Sequence, residues 1–189
     1  MHNLKAARDC AEKANDSESE DLMIYRNAIP TDADGIARLH TASWQDAYRG
    51  LFSDDFLANE ALGDRQAVWN QRLTEPSPDQ FVMVAEESST LQGFICLFPG
   101  HDEQYGALLD NLHIAPGKQR QGIGTQLTRS AMDWLGKTDP GCKMYLWVFT
   151  DNVNAIRFYE SMGGATADKM IYKDIGDKPV PAIRMVWGQ

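Results

Sequence analysis

The segment Gln119-Arg120-Gln121-Gly122-Ile123-Gly124-Thr125 has the makings of an anion cradle. Two glycines two residues apart let a backbone turn tightly and approach a ligand closely. They fall where a strand ending near Ile114 gives way to an amphipathic stretch, so the unpaired amides of a helix's first turn face whatever sits before the loop. The helix dipole adds a fractional positive charge there and Arg120 a full one, a combination suited to a pyrophosphate. A Walker A loop needs G-x-x-x-x-G-K-[ST], which is absent. A dinucleotide fingerprint needs a small residue at position 127, where the chain has Leu127, although Asp151 stands where such a fold wants its acid.

A second group begins at Asp151 and runs to Gly163. Asp151 reads as a helix N-cap and Gly163 as a C-terminal stop. Ala155, Phe158, Tyr159 and Met162 share one helical face, and the small Ala155 leaves room in front of the Tyr159 phenol, a group able to move a proton. The same stripe also fits simple core packing, with Asn154 a solvated first-turn residue. Asp110 lies two residues beyond Leu108, so a strand directs both to one face. Three roles stay open for it: a base, a ligand for an ammonium group, or the polar end of a core strand. His113 falls on the other face by the same alternation and reads as a packed histidine.

These residues need elements to hold them. The stretch 1–21 is polar and acidic around Asp16-Ser17-Glu18-Ser19-Glu20-Asp21, and it reads as an N-terminal extension to a domain covering 22–189. A first strand is expected at 23–26. Thr31 or Asp32 caps a helix from Ala33, with Ile36, Leu39, His40, Ser43 and Ala47 at helical spacing and Trp44 and Tyr48 beside them. Ser53-Asp54-Asp55 opens a short helix at Phe56-Leu57, and a further helical stretch at 64–73 ends before Pro76 and Pro78. A hairpin follows at 81–85 and 93–97, then a turn at 99–103 and a strand at 107–114. Next come a helix at 122–136, a strand at 143–149, a helix at 152–162, and strands near 167–172 and 182–187. The order predicts an α/β fold, a mixed sheet of six to seven strands with helices on its faces.

Composition narrows the classes. Lys and Arg number 18 and Asp and Glu 27, a net charge of −9, which disfavours nucleic-acid binding and favours a cationic or amine-bearing partner. No apolar run reaches membrane-spanning length, so no membrane partner is expected. Cys10, Cys96 and Cys142 are odd in number and far apart, which suits a reducing cytoplasm. His2, His40, His101 and His113 do not fall at ligand spacings beside them, so no metal is expected.

Taken together, P-x-x-Q-x-x-G-x-G between a strand and a helix, then N-x-x-A-x-x-F-Y-x-x-x-G on the next helix, resemble the GNAT superfamily of acetyl-CoA-dependent N-acetyltransferases. The motifs span 109–164, and the element order extends the likeness from about Ile24 to Trp187. The resemblance implies a mostly antiparallel sheet splayed near its fourth and fifth strands. It implies acetyl-CoA as co-substrate, its pantetheine arm paired with the backbone of Leu112, His113 and Ile114. The Leu112 amide would face the thioester carbonyl, and the amides from Gln119 through Arg120, Gln121, Gly122, Ile123 and Gly124 to Thr125 would hold the pyrophosphate. Asn154 would be a pantetheine ligand and Tyr159 the acid that protonates the departing thiolate. Histone-acetylating relatives carry a glutamate base where this chain has Leu108, which leaves Asp110 as the nearest candidate.

The reaction implied is direct attack of an amine on the thioester. Acceptor specificity in the superfamily usually sits in the first two helices and the turn before the fourth strand, here Trp44, Tyr48, Phe52 and Phe56, then Asp102, Glu103 and Tyr105. Segment 170–177 and Asp110 loosely resemble bacterial polyamine acetyltransferases, so a small cationic amine is the expected acceptor. A protein N-terminus or lysine is the alternative, and a non-catalytic acyl-CoA sensor is the reading from another class. GNAT domains often dimerise, so a homodimer is compatible with the resemblance.

Overall fold

Alternation assigns the two faces of the sheet. Val82, Val84, Phe94 and Cys96 point to one side, while Phe81, Ala85, Ile95 and Leu97 point to the other. Strands apolar on both faces are strands covered on both faces. The computed structural model describes residues 22–173 and 177–188, so the N-terminal extension and the stretch 174–176 lie outside the described residues. The elements are β1 (Ile24–Asn27), α1 (Ala33–Ala47), α2 (Ala61–Thr74), β2 (Phe81–Glu87), β3 (Thr90–Asp102), β4 (Gly106–Ile114), α3 (Ile123–Thr138), β5 (Met144–Phe149), α4 (Val153–Ser161), β6 (Ala165–Tyr172) and β7 (Val180–Trp187).

The sheet has seven strands in the order β1-β2-β3-β4-β5-β7-β6. Every neighbouring pair is antiparallel except β4 and β5. This is the mixed sheet with flanking helices that the element order predicts, and it differs from the all-parallel sheet of a dinucleotide-binding fold. Ile36, Trp69 and Leu73 of α1 and α2 pack on one face. Leu127, Ala131 and Leu135 of α3 pack on the other. Leu127 is fully buried, and a side chain of this size contributes about 1.5–3 kcal/mol through burial, where the dinucleotide fingerprint has a small residue for close helix–strand packing. A third cluster joins the end of α1 to β5 and β7 through Trp44, Phe52, Phe56, Phe149 and Ala182.

Four local expectations are corrected. The two helical stretches after residue 53 are continuous, because a π-helical turn, Phe56–Glu60, runs directly into α2. The turn expected at 99–103 is an irregular stretch of β3: register is lost after Phe98 and regained where Asp102 pairs with Gly106. Asp102 Oδ1 then accepts the amides of Gln104 and Tyr105, which moves the turn three residues on. Asp32 precedes α1 without capping it; its carboxylate instead accepts from Arg26 and from the Ile29 amide. At α4 the cap is Asn152 rather than Asp151, its side chain accepting from the Ala155 amide at 3.2 Å.

The parallel junction positions the site. β4 and β5 pair only at Ala107–Met144 and Leu108–Tyr145. Gly106 makes this contact close: at φ +79° it lies against Lys143, and an added Cβ would stand 2.2 Å from that residue's carbonyl oxygen. Beyond Leu108 the two strands separate, leaving one edge of β4 without a strand partner.

Candidate active site

A cavity of about 1000 Å³ occupies this opening, the size of a site for a large extended ligand. Its walls are the free edge of β4, the loop leading into α3, the middle of β5 and the start of α4. Backbone phase determines which β4 groups face it. The Ala115 amide donates to Gln92 of β3 at 2.8 Å, so by alternation Asn111 and His113 also turn their backbone groups toward β3. Those of Leu112 and Ile114 turn to the open edge.

The loop is folded by its own side chains. Gln119 Oε1 accepts the Gly117 amide at 2.8 Å, and Gln121 Nε2 donates to the Gly117 carbonyl at 3.2 Å. Gly122, at the α3 N-cap, has φ +85°, the left-handed region in which a side chain is strained. Nothing lies within 4 Å of where its Cβ would be. No side chain caps α3, whereas Asn152 caps α4. The first-turn amides of α3 are thus left for a ligand, and Gly122, Gly124 and Thr125 all line the cavity.

Leu112, His113, Ile114, Gln119, Arg120, Gly122, Gly124, Thr125, Asn154 and Tyr159 come together around this one cavity, with Tyr48 and Asp110 at its inner end. Gln121 and Ile123 stand apart from the lining: Gln121 braces the loop, and Ile123 is buried under α3 in the core. Tyr159 is buried, and burial pushes its phenol above the ordinary tyrosine range, with nearby Tyr48 adding to the shift. Its phenol is therefore protonated at neutral pH.

Comparison with known proteins matches residues 37–164, more than half the chain, to the acetyltransferase (GNAT) family. The chain belongs to the GNAT family. It is 27% identical over 143 residues to "Uncharacterized N-acetyltransferase YuaI" of Bacillus subtilis, covering 74% of this chain and 79% of that one. "Probable N-acetyltransferase Rv2775" of Mycobacterium tuberculosis is 26% identical over 141 residues, covering 71% and 75%. Among solved structures, the PaiA N-acetyltransferase from Thermoplasma acidophilum in complex with coenzyme A aligns at a TM-score of 0.71 and 20% identity, over 88% of this chain and 99% of that one. The yncA acetyltransferase from Salmonella typhimurium with acetyl-CoA aligns at 0.62 and 18%, over 88% and 93%. Family membership makes the protein an acyltransferase by class.

At its inner end the GNAT cleft adjoins a second chamber of about 80 Å³. Tyr48, Leu109, Asp110, His113 and Trp147 line both, so the two spaces meet at these side chains. Trp44 lines the inner chamber and not the cleft. A bulge in β4 changes the expected alternation here. Cys96 pairs with Asn111 and Leu97 with Leu109, which leaves Asp110 as the extra residue. Asp110 and His113 consequently face the same side, toward α1 and α2, rather than opposite sides.

Asp110 Oδ2 accepts from Arg72 of α2 at 2.7 Å, and the same guanidinium nitrogen donates to Asn111 Oδ1 at 2.9 Å. His113 is packed as well as cavity-lining: its Nδ1 lies 2.9 Å from Ser43 Oγ and its ring 4.1 Å from that of His40. His40 Nδ1 in turn accepts from Trp69 Nε1 at 3.1 Å. Burial, then Arg65, lowers His113 to about 3. His40 is driven well down by burial first and then by His113, Arg65 and Arg72. Both imidazoles are neutral at physiological pH.

Sequence reasoning missed Ser43, Arg72, His40 and Trp147 as parts of this region. Trp147 was within reach, since Tyr145, Trp147 and Phe149 alternate along β5 against Leu146 and Val148. Arg72 carried no such signal, because its partner Asp110 is 38 positions away and reaches it through a bulge. No helix among the described residues is long and apolar enough to cross a membrane, and none of their His, Cys, Asp and Glu side chains form a group able to hold a metal.

Proposed function

We propose that this enzyme transfers the acetyl group of acetyl-CoA to a primary amine by direct attack. The observation that carries the reading is the uncapped N-terminus of α3, with Gly122 left-handed, opening on the same cavity as the free backbone edge of Leu112 and Ile114. When bound, acetyl-CoA supplies the activated acetyl thioester. The pantetheine arm would complete the edge of β4 as a strand does, pairing along residues 112–114. The amides of residues 119–125 would take the pyrophosphate, with Arg120 and the helix dipole opposing its charge. Asn154 would fix the pantetheine end, and its exposed position on the cavity wall suits that contact.

The chain's own groups then divide the chemistry. The Leu112 amide stabilises negative charge building on the acetyl oxygen, a fixed dipole that needs no reorganisation. Tyr159 protonates the departing sulfur, and the proton that the attacking nitrogen sheds as the amide forms restores the phenol by way of solvent, so that amine and thioester become amide and thiol with no proton left over. Trp44, Tyr48 and Asp110 hold the acceptor on the far side of the thioester, and most of the rate comes from bringing the two reactants together. Asp110 is held by Arg72, so it acts as a fixed, oriented carboxylate. The net charge of −9 favours amines that are cationic in bulk solution. The test is a screen for free thiol with acetyl-CoA over small amines, amino acids and short peptides. Release with at least one amine, lost in Tyr159→Phe, supports the reading. Silence across the panel while acetyl-CoA still binds would leave a sensor.

A further inference from the structure

The inner chamber is walled by aromatic rings, among them Trp44, Tyr48, Trp147, Phe149 and Tyr172. Such a box ordinarily attracts an ammonium ion through the ring faces. Here the two indole rings already carry a guanidinium. The Arg65 guanidinium sits 4.6 Å from the ring centre of Trp44, and Arg184 sits 4.6 Å from that of Trp147. Arg72 occupies the third side, 5.2 Å from Trp69, and binds the chamber's carboxylate, Asp110. The acids that balance Arg65 and Arg184 are Asp64 and Asp168, both about half exposed and outside the chamber lining.

Titratable and charged groups reach this region from every element packed against it, β3 and β5 included: Cys96 feels Arg72 and Asp110, and Tyr145 feels Asp102, Arg184 and Asp110. α1 contributes His40 and Tyr48, α2 contributes Arg65 and Arg72, β4 contributes Asp110 and His113, β6 contributes Tyr172, and β7 contributes Arg184. Two guanidinium groups, Arg65 and Arg184, stand against lining rings without lining the space themselves, and the carboxylate in the lining is ion-paired with the third, Arg72. The two histidines report part of this field, that of Arg65 and, at His40, of Arg72. Both are kept uncharged by burial, and Arg65 adds to the effect on each. An incoming cation meets the same desolvation and the same neighbours.

We propose that the inner chamber receives the acceptor as a free, uncharged amine on an apolar or aromatic carrier, and that it turns ammonium ions away. This rests on the acetyl-transfer reading and narrows it. Acceptors with one amine on a flat or aliphatic carrier should outperform polyamines, whose remaining charges find no unpaired acid in the chamber. The proton is lost to solvent before entry, so no protein base has to take it from an ammonium group in the site. This agrees with Leu108 at the position where histone-acetylating relatives carry a glutamate.

Two measurements test it. The first is kcat/KM against pH for two acceptors of one shape and different basicity, phenethylamine and its β,β-difluoro analogue. The expected profile rises about tenfold per pH unit and levels at each amine's own pKa, so the break moves with the amine. A break at the same pH for both overturns the inference. The second is calorimetric binding at neutral pH to the coenzyme A-saturated enzyme, comparing phenethyl alcohol with phenethylammonium. The alcohol should bind at least about tenfold tighter, a difference of about 1.4 kcal/mol. In Arg72→Gln, which frees Asp110, that preference should fall to near parity with the KM for acetyl-CoA unchanged, whereas simple loosening would weaken both ligands alike. Equal or tighter ammonium binding to the unmutated enzyme overturns the inference whether or not any amine is acetylated. Preference for the alcohol without thiol release from any amine would defeat the acetyl-transfer reading and leave the chamber's selectivity standing.

Discussion

The cleft and the inner chamber are built from different materials. The cleft is made of backbone: the free edge of β4 and the uncapped first turn of α3. The chamber is made of side chains that arrive from α1, β4, β5 and β6, with arginines from α2 and β7 behind them. Backbone recognises what is common to all acyl-CoA molecules, phosphates and an amide-bearing arm, and needs only glycines and a break in strand pairing. Side chains recognise what is particular to one acceptor. The first can be written in a short local sequence, and the second is written across the whole chain.

The largest expected effect lies at a side chain of the cleft wall. Tyr159→Phe should lower kcat by about 10²–10⁴-fold, the range for a lost general acid, while the acetyl-CoA dissociation constant stays within about twofold. Steady-state turnover beside calorimetric binding checks both. Full activity would remove Tyr159 from the chemistry and leave it a packing residue on the α4 stripe.

Next in size is a substitution confined to the cleft. Gly122→Val places a β-branched residue at φ +85° and fills space that is open before the loop. Loss of two charge-assisted amide contacts, each about 1.5–3 kcal/mol, corresponds to at least about a hundredfold weaker acetyl-CoA binding. Unchanged affinity would end the assignment of the phosphate loop.

A side-chain perturbation should instead act on the frame of the chamber. Asp32 joins Arg26 at 2.7 Å and holds the start of α1, the helix that carries Ser43, Trp44 and Tyr48 inward. Hydrogen bonding from Arg26 keeps the Asp32 carboxyl below its ordinary range, with burial opposing. A depressed folded-state value gives stability that is present above the unfolded carboxylate range and lost as pH falls through the folded one. Asp32→Asn should cost about 2 kcal/mol at neutral pH, and the difference from the unmutated protein should begin to shrink near about pH 4 and vanish only below the lower folded-state value. Denaturant melts across pH measure it. The smallest effect is Asn152→Ala, which removes the α4 cap. About 1 kcal/mol, or a Tm lower by about 2–4 °C, is expected in a thermal melt.

The same contrast explains what could be read in advance. The α3 helix, its glycine loop and the stripe ending at Tyr159 are local patterns, and the structure brings them to one cavity. The hairpin of β2 and β3 and the helix α1 follow from periodicity alone. The β4 bulge does not, because Leu109-Asp110-Asn111 alternates acceptably in either register and the extra residue is settled by pairing with Cys96 and Leu97. Hence Asp110 and His113 were expected on opposite faces and lie on the same one. Asp151 and Asn152 are both good capping residues, and which one caps depends on where Phe149 ends its strand. The π-helical turn at Phe56–Glu60 was hidden for a similar reason, since a one-residue change of helical period leaves no mark in composition.

The central claim is that the open edge of β4 and the start of α3 form one acetyl-CoA site. Amide hydrogen exchange read by NMR, with and without saturating acetyl-CoA, tests it residue by residue. Slower exchange by tenfold or more at Leu112, Ile114 and the amides of Gly122, Ile123, Gly124 and Thr125, with little change at the α4-capping bond of Ala155, is the predicted result. Binding of acetyl-CoA that leaves Leu112 and Ile114 exchanging as before would contradict it.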